Sequence, residues 1–252
     1  MNTIARTVTI TVMLGLIGLA SIAHAKVLLD FGNNTSYRGA STSSPDINGN
    51  YWNSVDSSVY WTNLRSADGS FSGINFGFTS VAGTDSYNGP AGDTSAQGTP
   101  NGLYTNAVIN ATALGDLGIQ SAVFDFYVSS TFTIQNLDPA SLYHLTFFGS
   151  HKYNPAGNDT TWYYVCRSND YSIATAVASN SLLVGSGAAH NQDSVATISN
   201  VAPQFANSIW IKFQGAAGGN GYLNCMRIEV VPEPALAAAA CLALLAVRRR
   251  RR

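Results

Sequence analysis

Strict apolar–polar alternation, repeated in short runs along the chain, constrains the fold more than any other feature. Phe132 and Ile134 stand opposite Thr131 and Thr133. Beyond an Asp138-Pro139 turn, Tyr143, Leu145 and Phe147 alternate with His144 and Thr146. Ile209, Ile211 and Phe213 alternate with Trp210 and Lys212, and a last run carries Tyr222, Asn224, Met226, Ile228 and Val230 on one side. Val27–Phe31 and Ser121–Val128 extend the series, the latter with Phe124, Phe126 and Val128 aligned. Side chains two apart share a face only in a strand, so period two over several short runs predicts antiparallel sheets with one covered face each. The expected fold is all-β, an antiparallel β-sandwich. Scarce Lys and Glu, with plentiful Gly, Ser, Thr, Asn and aromatic residues, agree with strands and turns rather than surface helices.

Residues 33–118 read differently, as long loops and short strands over one end of the sandwich. Tyr51, Trp52, Tyr60, Trp61, Phe71, Phe76 and Phe78 are too many aromatics for a solvated linker.

The two ends are set apart from this β-rich middle. Arg6, an apolar run from Val8 to Ala20 and the small-x-small triplet Ala23-His24-Ala25 have the build of a secretory signal over residues 1–25, with cleavage between Ala25 and Lys26. At the other end, Val231-Pro232-Glu233-Pro234 precedes an uncharged run, Ala235–Val247, and then Arg248, Arg249, Arg250, Arg251 and Arg252. As a helix that run reaches about 20 Å, against a hydrocarbon core of about 30 Å. It is a marginal span, aided by snorkelling arginines that resist translocation and keep the last residues cytoplasmic. Between the ends, a domain of residues 26–230 carries seven basic and thirteen acidic side chains, a net charge of −6. That sign argues against nucleic acid as a partner.

Pro232-Glu233-Pro234, the apolar run and the arginine cluster, in that order over residues 231–252, resemble the PEP-CTERM sorting signal of exopolysaccharide-producing Gram-negative bacteria. The resemblance implies recognition by exosortase after signal peptidase has acted. It further implies transient anchoring in the inner membrane and delivery of the domain to the cell surface or extracellular matrix.

Cys166 and Cys225 are the cysteines of the domain. An oxidising compartment permits a cross-strand disulfide, and two buried thiols are the alternative. Catalytic signatures are absent: there is no Gly-x-Ser-x-Gly elbow and no His-Glu-x-x-His motif. His144, His151 and His190 sit on a strand or in loops with no recognised catalytic spacing. Asp46, Asn48 and Asn50 place oxygens at alternate positions, as calcium loops do, although Tyr51 stands where such a loop needs Gly. An Asn-Gly turn explains the same residues. No catalytic residue and no cofactor other than calcium is expected.

Aromatic side chains are the stronger lead. Trp52, Trp61, Trp162 and Tyr164 offer flat faces for sugar rings, with core packing as the alternative for each. Val27–Gly32, Tyr51-Trp52-Asn53 and Tyr222-Leu223-Asn224 loosely resemble galactose-binding-like jelly-roll modules, which implies a glycan-associated β-sandwich. The expectation is therefore a noncatalytic, exported surface or matrix protein that contacts carbohydrate or exopolysaccharide. A secreted polysaccharide hydrolase or lyase using His151, His190 and nearby aspartates is the rival, and a structural or adhesive surface protein the third reading.

Overall fold

The computed structural model describes residues 26–32, 41–85, 88, 107–151, 158–186 and 189–231. The signal residues, including Ala23 and Ala25, lie outside that set, as do Pro232, Glu233, Pro234, the apolar run and Arg248–Arg252. The protein is all-β, built on curled antiparallel sheets.

In chain order the strands are β1 (Lys26–Asp30), β2 (Trp52–Ser54), β3 (Asn75–Ser80), β4 (Gly83–Asp85), β5 (Phe126–Val128), β6 (Thr131–Gln135) and β7 (Leu142–Phe148). They continue with β8 (Asn158–Cys166), β9 (Ala178–Ser186), β10 (Ala189–His190), β11 (Ala196–Val201), β12 (Ile209–Gly215), β13 (Tyr222–Leu223) and β14 (Cys225–Val231). One sheet runs β11-β7-β14-β1-β2 and a second runs β10-β9-β8-β12-β6-β3. A small third sheet, β13-β5-β4, lies beside them. Pairing is antiparallel throughout except between β1 and β2, where Leu28 faces Trp52 in parallel register.

The inward-pointing sets are the ones the alternation marks. Leu29, Leu145, Phe147, Met226 and Ile228 from the first sheet meet Phe132, Ile134, Tyr163, Val165, Ile211 and Phe213 from the second in one core. Phe147 stacks on Tyr163 with ring centres 4.5 Å apart and planes 7° from parallel. Such a pair contributes about 1 kcal/mol beyond its area. The Tyr163 hydroxyl, fully buried, donates to the Tyr222 carbonyl at 2.8 Å.

Two expectations need correction. The segment 121–128 is not one strand: residues 120–123 form a single 3-10 turn and only Phe126–Val128 is extended. That turn, helix α1 (Ala111–Leu114) and a further 3-10 turn at Gly115–Leu117 lie over the outer face of the first sheet. There Leu28, Phe148 and Cys225 pack against Leu114, Leu117 and Val123. The first sheet is therefore covered on both faces at this end, because these outward positions are apolar and would otherwise meet water. Asp116 fixes the cover, accepting from Lys26 Nζ at 2.8 Å and Arg227 Nη1 at 3.3 Å.

The final run is likewise broken in two at Asn224, with Tyr222–Leu223 in the small sheet and Cys225–Val231 in the first. Asn224 is fully buried and ties the pieces together. Its Oδ1 accepts from the Ser150 N–H at 2.6 Å, and its Nδ2 donates to the Asp125 carbonyl at 2.8 Å. Its own carbonyl takes the Phe31 N–H.

Candidate functional site: an aromatic groove beside the edge strands

Strands β2 and β3 are edge strands of their respective sheets. The chain between them doubles back in an irregular hairpin, with Trp61 bridged to Phe76 and Arg65 to Phe71. Its tip turns at Gly69, where φ is +88° and the Tyr51 ring lies so close that a Cβ would sit 2.7 Å from it. Only glycine meets both demands. Asn53 joins this hairpin to the first sheet. Its Nδ2 donates to the carbonyls of Leu28 and Arg65, and its Oδ1 accepts the Arg65 N–H at 2.9 Å. Ser44 serves β2 in the manner of a neighbouring strand, its Oγ accepting the Trp52 N–H and donating to the Trp52 carbonyl.

The result is an open groove of about 730 Å³ lined by Tyr51, Trp61 and Phe71 together with Ser41, Thr62, Asn63 and Arg65. Phe71 is 64% exposed. The Arg65 guanidinium lies 4.9 Å from the Phe71 ring centre and 5.8 Å from that of Tyr51. Two buried groups of the lining, the Trp61 indole N–H and the Ser41 hydroxyl, have no hydrogen-bond partner. Unpaired buried donors are uncommon and costly, so two in one lining mark the region as locally frustrated.

A buried acidic pair lies behind the groove. Thr42 and Ser54, both lining residues, donate to Asp30 Oδ2 at 2.7 and 3.3 Å. Asp30 is fully buried and its Oδ1 has no partner. Burial pushes its carboxyl up to about 6. Burial also raises Asp125 well above the usual carboxylate range, and the charge of Asp30 raises it further. The Asp125 carboxylate sits directly over Gly32, where a Cβ would fall 1.9 Å from Oδ2.

The residues expected at a ligand site separate into two groups. Trp61 lines the groove, half-buried. Trp52 reaches the same groove, but only 4% of it is exposed and its indole N–H donates to Asp46 Oδ2 at 2.8 Å. Its ring belongs to the cover over the first sheet, so it is a packing residue rather than a free stacking face. Trp162 and Tyr164 stand on the outer face of β8, three strands from β3 in the second sheet, with their rings 6.1 Å apart and 20° from parallel. Tyr51, Arg65 and Phe71 were missed as a set, because their meeting depends on a hairpin that no alternation announces.

The Asp46 loop has the hydrogen bonds of an Asx-type turn. Asp46 Oδ1 accepts the N–H groups of Asn48 and Asn50 at 2.8 and 2.9 Å, and Oδ2 holds Trp52. Each carboxylate oxygen already serves a donor in an Asx-type turn closed by Gly49 at φ +84°. Among the described residues, no group of three His, Cys, Asp or Glu converges as a metal site. Cys166 and Cys225 are free, buried thiols. They lie in different clusters on the outer faces of different sheets, so the disulfide alternative fails on geometry.

His190 and His151 do come near Ser150 and Asp159. The Ser150 Oγ lies 3.1 Å from His190 Nδ1, and His151 Nδ1 lies 3.1 Å from Asp159 Oδ2. The Val108 N–H donates to His190 Nε2, so in the neutral ring Nδ1 carries the proton. That proton faces the Asn191 carbonyl and the Ser150 Oγ, each at 3.1 Å, so Nδ1 does not take the serine proton, and Ser150 is fully buried. Burial lowers the His151 pKa, against the opposing pull of Asp159. The ring stacks on Tyr222 at 4.0 Å.

No known protein family, curated protein or solved structure matches the chain. The fold and the groove therefore define its class on their own: an all-β protein with an open aromatic groove beside its edge strands.

Proposed function

We propose that this is an exported, noncatalytic surface or matrix protein whose β-sandwich, of jelly-roll-like form, binds carbohydrate in the groove of Tyr51, Trp61 and Phe71. The groove composition carries this reading. Exposed aromatic faces beside Ser, Thr, Asn and Arg provide stacking for sugar C–H faces and hydrogen bonds for hydroxyls. Export through a signal over residues 1–25 and sorting by exosortase at Pro232-Glu233-Pro234 complete the proposal. They place the protein at the cell envelope or in extracellular polymer.

Glycan-array binding of the wild type, Phe71→Ala and Trp162→Ala tests the groove. The expectation is loss of about tenfold or more in affinity for Phe71→Ala, about 1.4 kcal/mol, and little change for Trp162→Ala. Absence of any bound glycan, or the reverse order of effects, would refute the assignment. The polysaccharide hydrolase or lyase reading draws on one observation, the approach of His190 to Ser150 and of His151 to Asp159. It ranks second because the serine is buried and faces a proton donor.

A further inference from the structure

We infer that the groove recognises a carboxylate-bearing sugar, a uronic acid unit of an acidic polysaccharide, and that Arg65 reads the carboxylate. This rests on the carbohydrate reading of the same groove and adds the class of sugar. Among the described residues, Arg65 is the only charged one in the lining. It forms no ion pair with any described carboxylate, although the domain as a whole is strongly acidic. The nearest acidic side chain in sequence, Asp68, is turned to its own loop, its Oδ1 taken by the N–H and hydroxyl of Ser70.

The guanidinium is nevertheless held in place. Nη1 donates to the Gly69 carbonyl at 2.9 Å, the backbone is clamped by Asn53, and the Phe71 and Tyr51 rings lie within cation–π range. One of five N–H donors is spent, leaving the rest of the fork for a planar anion. A carboxylate accepts two parallel bonds from such a fork, whereas a hydroxymethyl group accepts one uncharged bond. The sugar ring that carries the carboxylate would then lie against Phe71 or Trp61. Because the net charge of −6 on residues 26–230 repels a polyanion at long range, discrimination must come from this short contact.

The test pairs each of several uronic-acid oligosaccharides (oligogalacturonate, oligoglucuronate and oligomannuronate) with its carboxyl-reduced neutral counterpart. Binding to the full chain is measured by calorimetry, for the wild type, Arg65→Gln and Arg65→Lys. For at least one pair the wild type should favour the acidic member by about tenfold or more. The acidic-to-neutral ratio should collapse toward one in Arg65→Gln and be intermediate in Arg65→Lys, which keeps the charge and loses the fork. Thermal melting confirms that the variants fold. Equal binding within every pair, or an unchanged ratio in Arg65→Gln, overturns the inference and leaves the carbohydrate reading intact. Failure of all the oligosaccharides, acidic and neutral alike, together with a glycan array that is blank, overturns both.

Discussion

Asp125→Asn should make the protein more stable at neutral and alkaline pH and leave it nearly unchanged in acid. Asp30 and Asp125 share the interior behind the groove, and no cation is paired with either among the described residues. A carboxyl whose pKa is raised by folding holds its proton more tightly in the folded state than in the unfolded chain. Its stabilising proton is fully present below the unfolded value, 3.8, and is lost as pH climbs through the folded value, about 6 for Asp30. A rise of roughly two units corresponds to about 3 kcal/mol, at 1.36 kcal/mol per unit. Asp125, raised further by the charge of Asp30, extends the loss above pH 6. An asparagine keeps the shape and removes one ionisable group from the pair. Urea unfolding followed by tryptophan fluorescence between about pH 4 and pH 8 should show the two proteins converging in acid. Toward alkaline pH the variant should become progressively more stable than the wild type, since it has no Asp125 proton to lose. The difference between curves isolates the pair, because His151, whose lowered pKa makes stability fall in acid, is common to both. A difference that stays constant across the range would refute the reasoning.

Four further outcomes follow from the same geometry. Gly32→Ala should destabilise by about 1–3 kcal/mol in urea, since its Cβ would overlap the Asp125 carboxylate. Gly49→Ala, which meets no atom, should cost about 1 kcal/mol through its positive φ alone. Tyr163→Phe removes the buried hydroxyl that donates to the Tyr222 carbonyl and should lower stability by about 1–2 kcal/mol, read by the same unfolding assay. Alkylation of the intact protein should leave Cys166 and Cys225 unmodified, because both are buried and burial raises both thiol pKa values. In denaturant without reductant both should react; a disulfide-linked peptide in the mass spectrum would contradict the fold.

The strands of the core were legible because period two survives wherever one face is covered. β6, β7, β12 and β14 carry the pattern, and their inward residues are the ones it names. Legibility failed where a second layer covers the outer face. Leu28, Phe148 and Cys225 break the alternation, and of the turns over them one comes from a segment read as a strand and the others from the region read as loops. Trp52 illustrates the same limit at the site. Its loop context suggested exposure, yet Asp46 six residues earlier takes its indole N–H and draws the ring inward. The groove itself depends on Arg65, Phe71 and Tyr51 meeting through a hairpin held by Asn53 and Gly69. Each of those residues alone reads as an ordinary turn or surface side chain. The buried pair Asp30 and Asp125 was equally silent, since aspartates in turns are common for hydrogen-bonding reasons alone.

A crystal structure of the protein soaked with its tightest-binding oligosaccharide is the most direct test of the account. A sugar ring packed on Phe71 and Trp61, with polar contacts to Thr62, Asn63 or Arg65, is the predicted result. A sugar bound on the Trp162–Tyr164 face, or beside His190 with the groove occupied only by solvent, would contradict it.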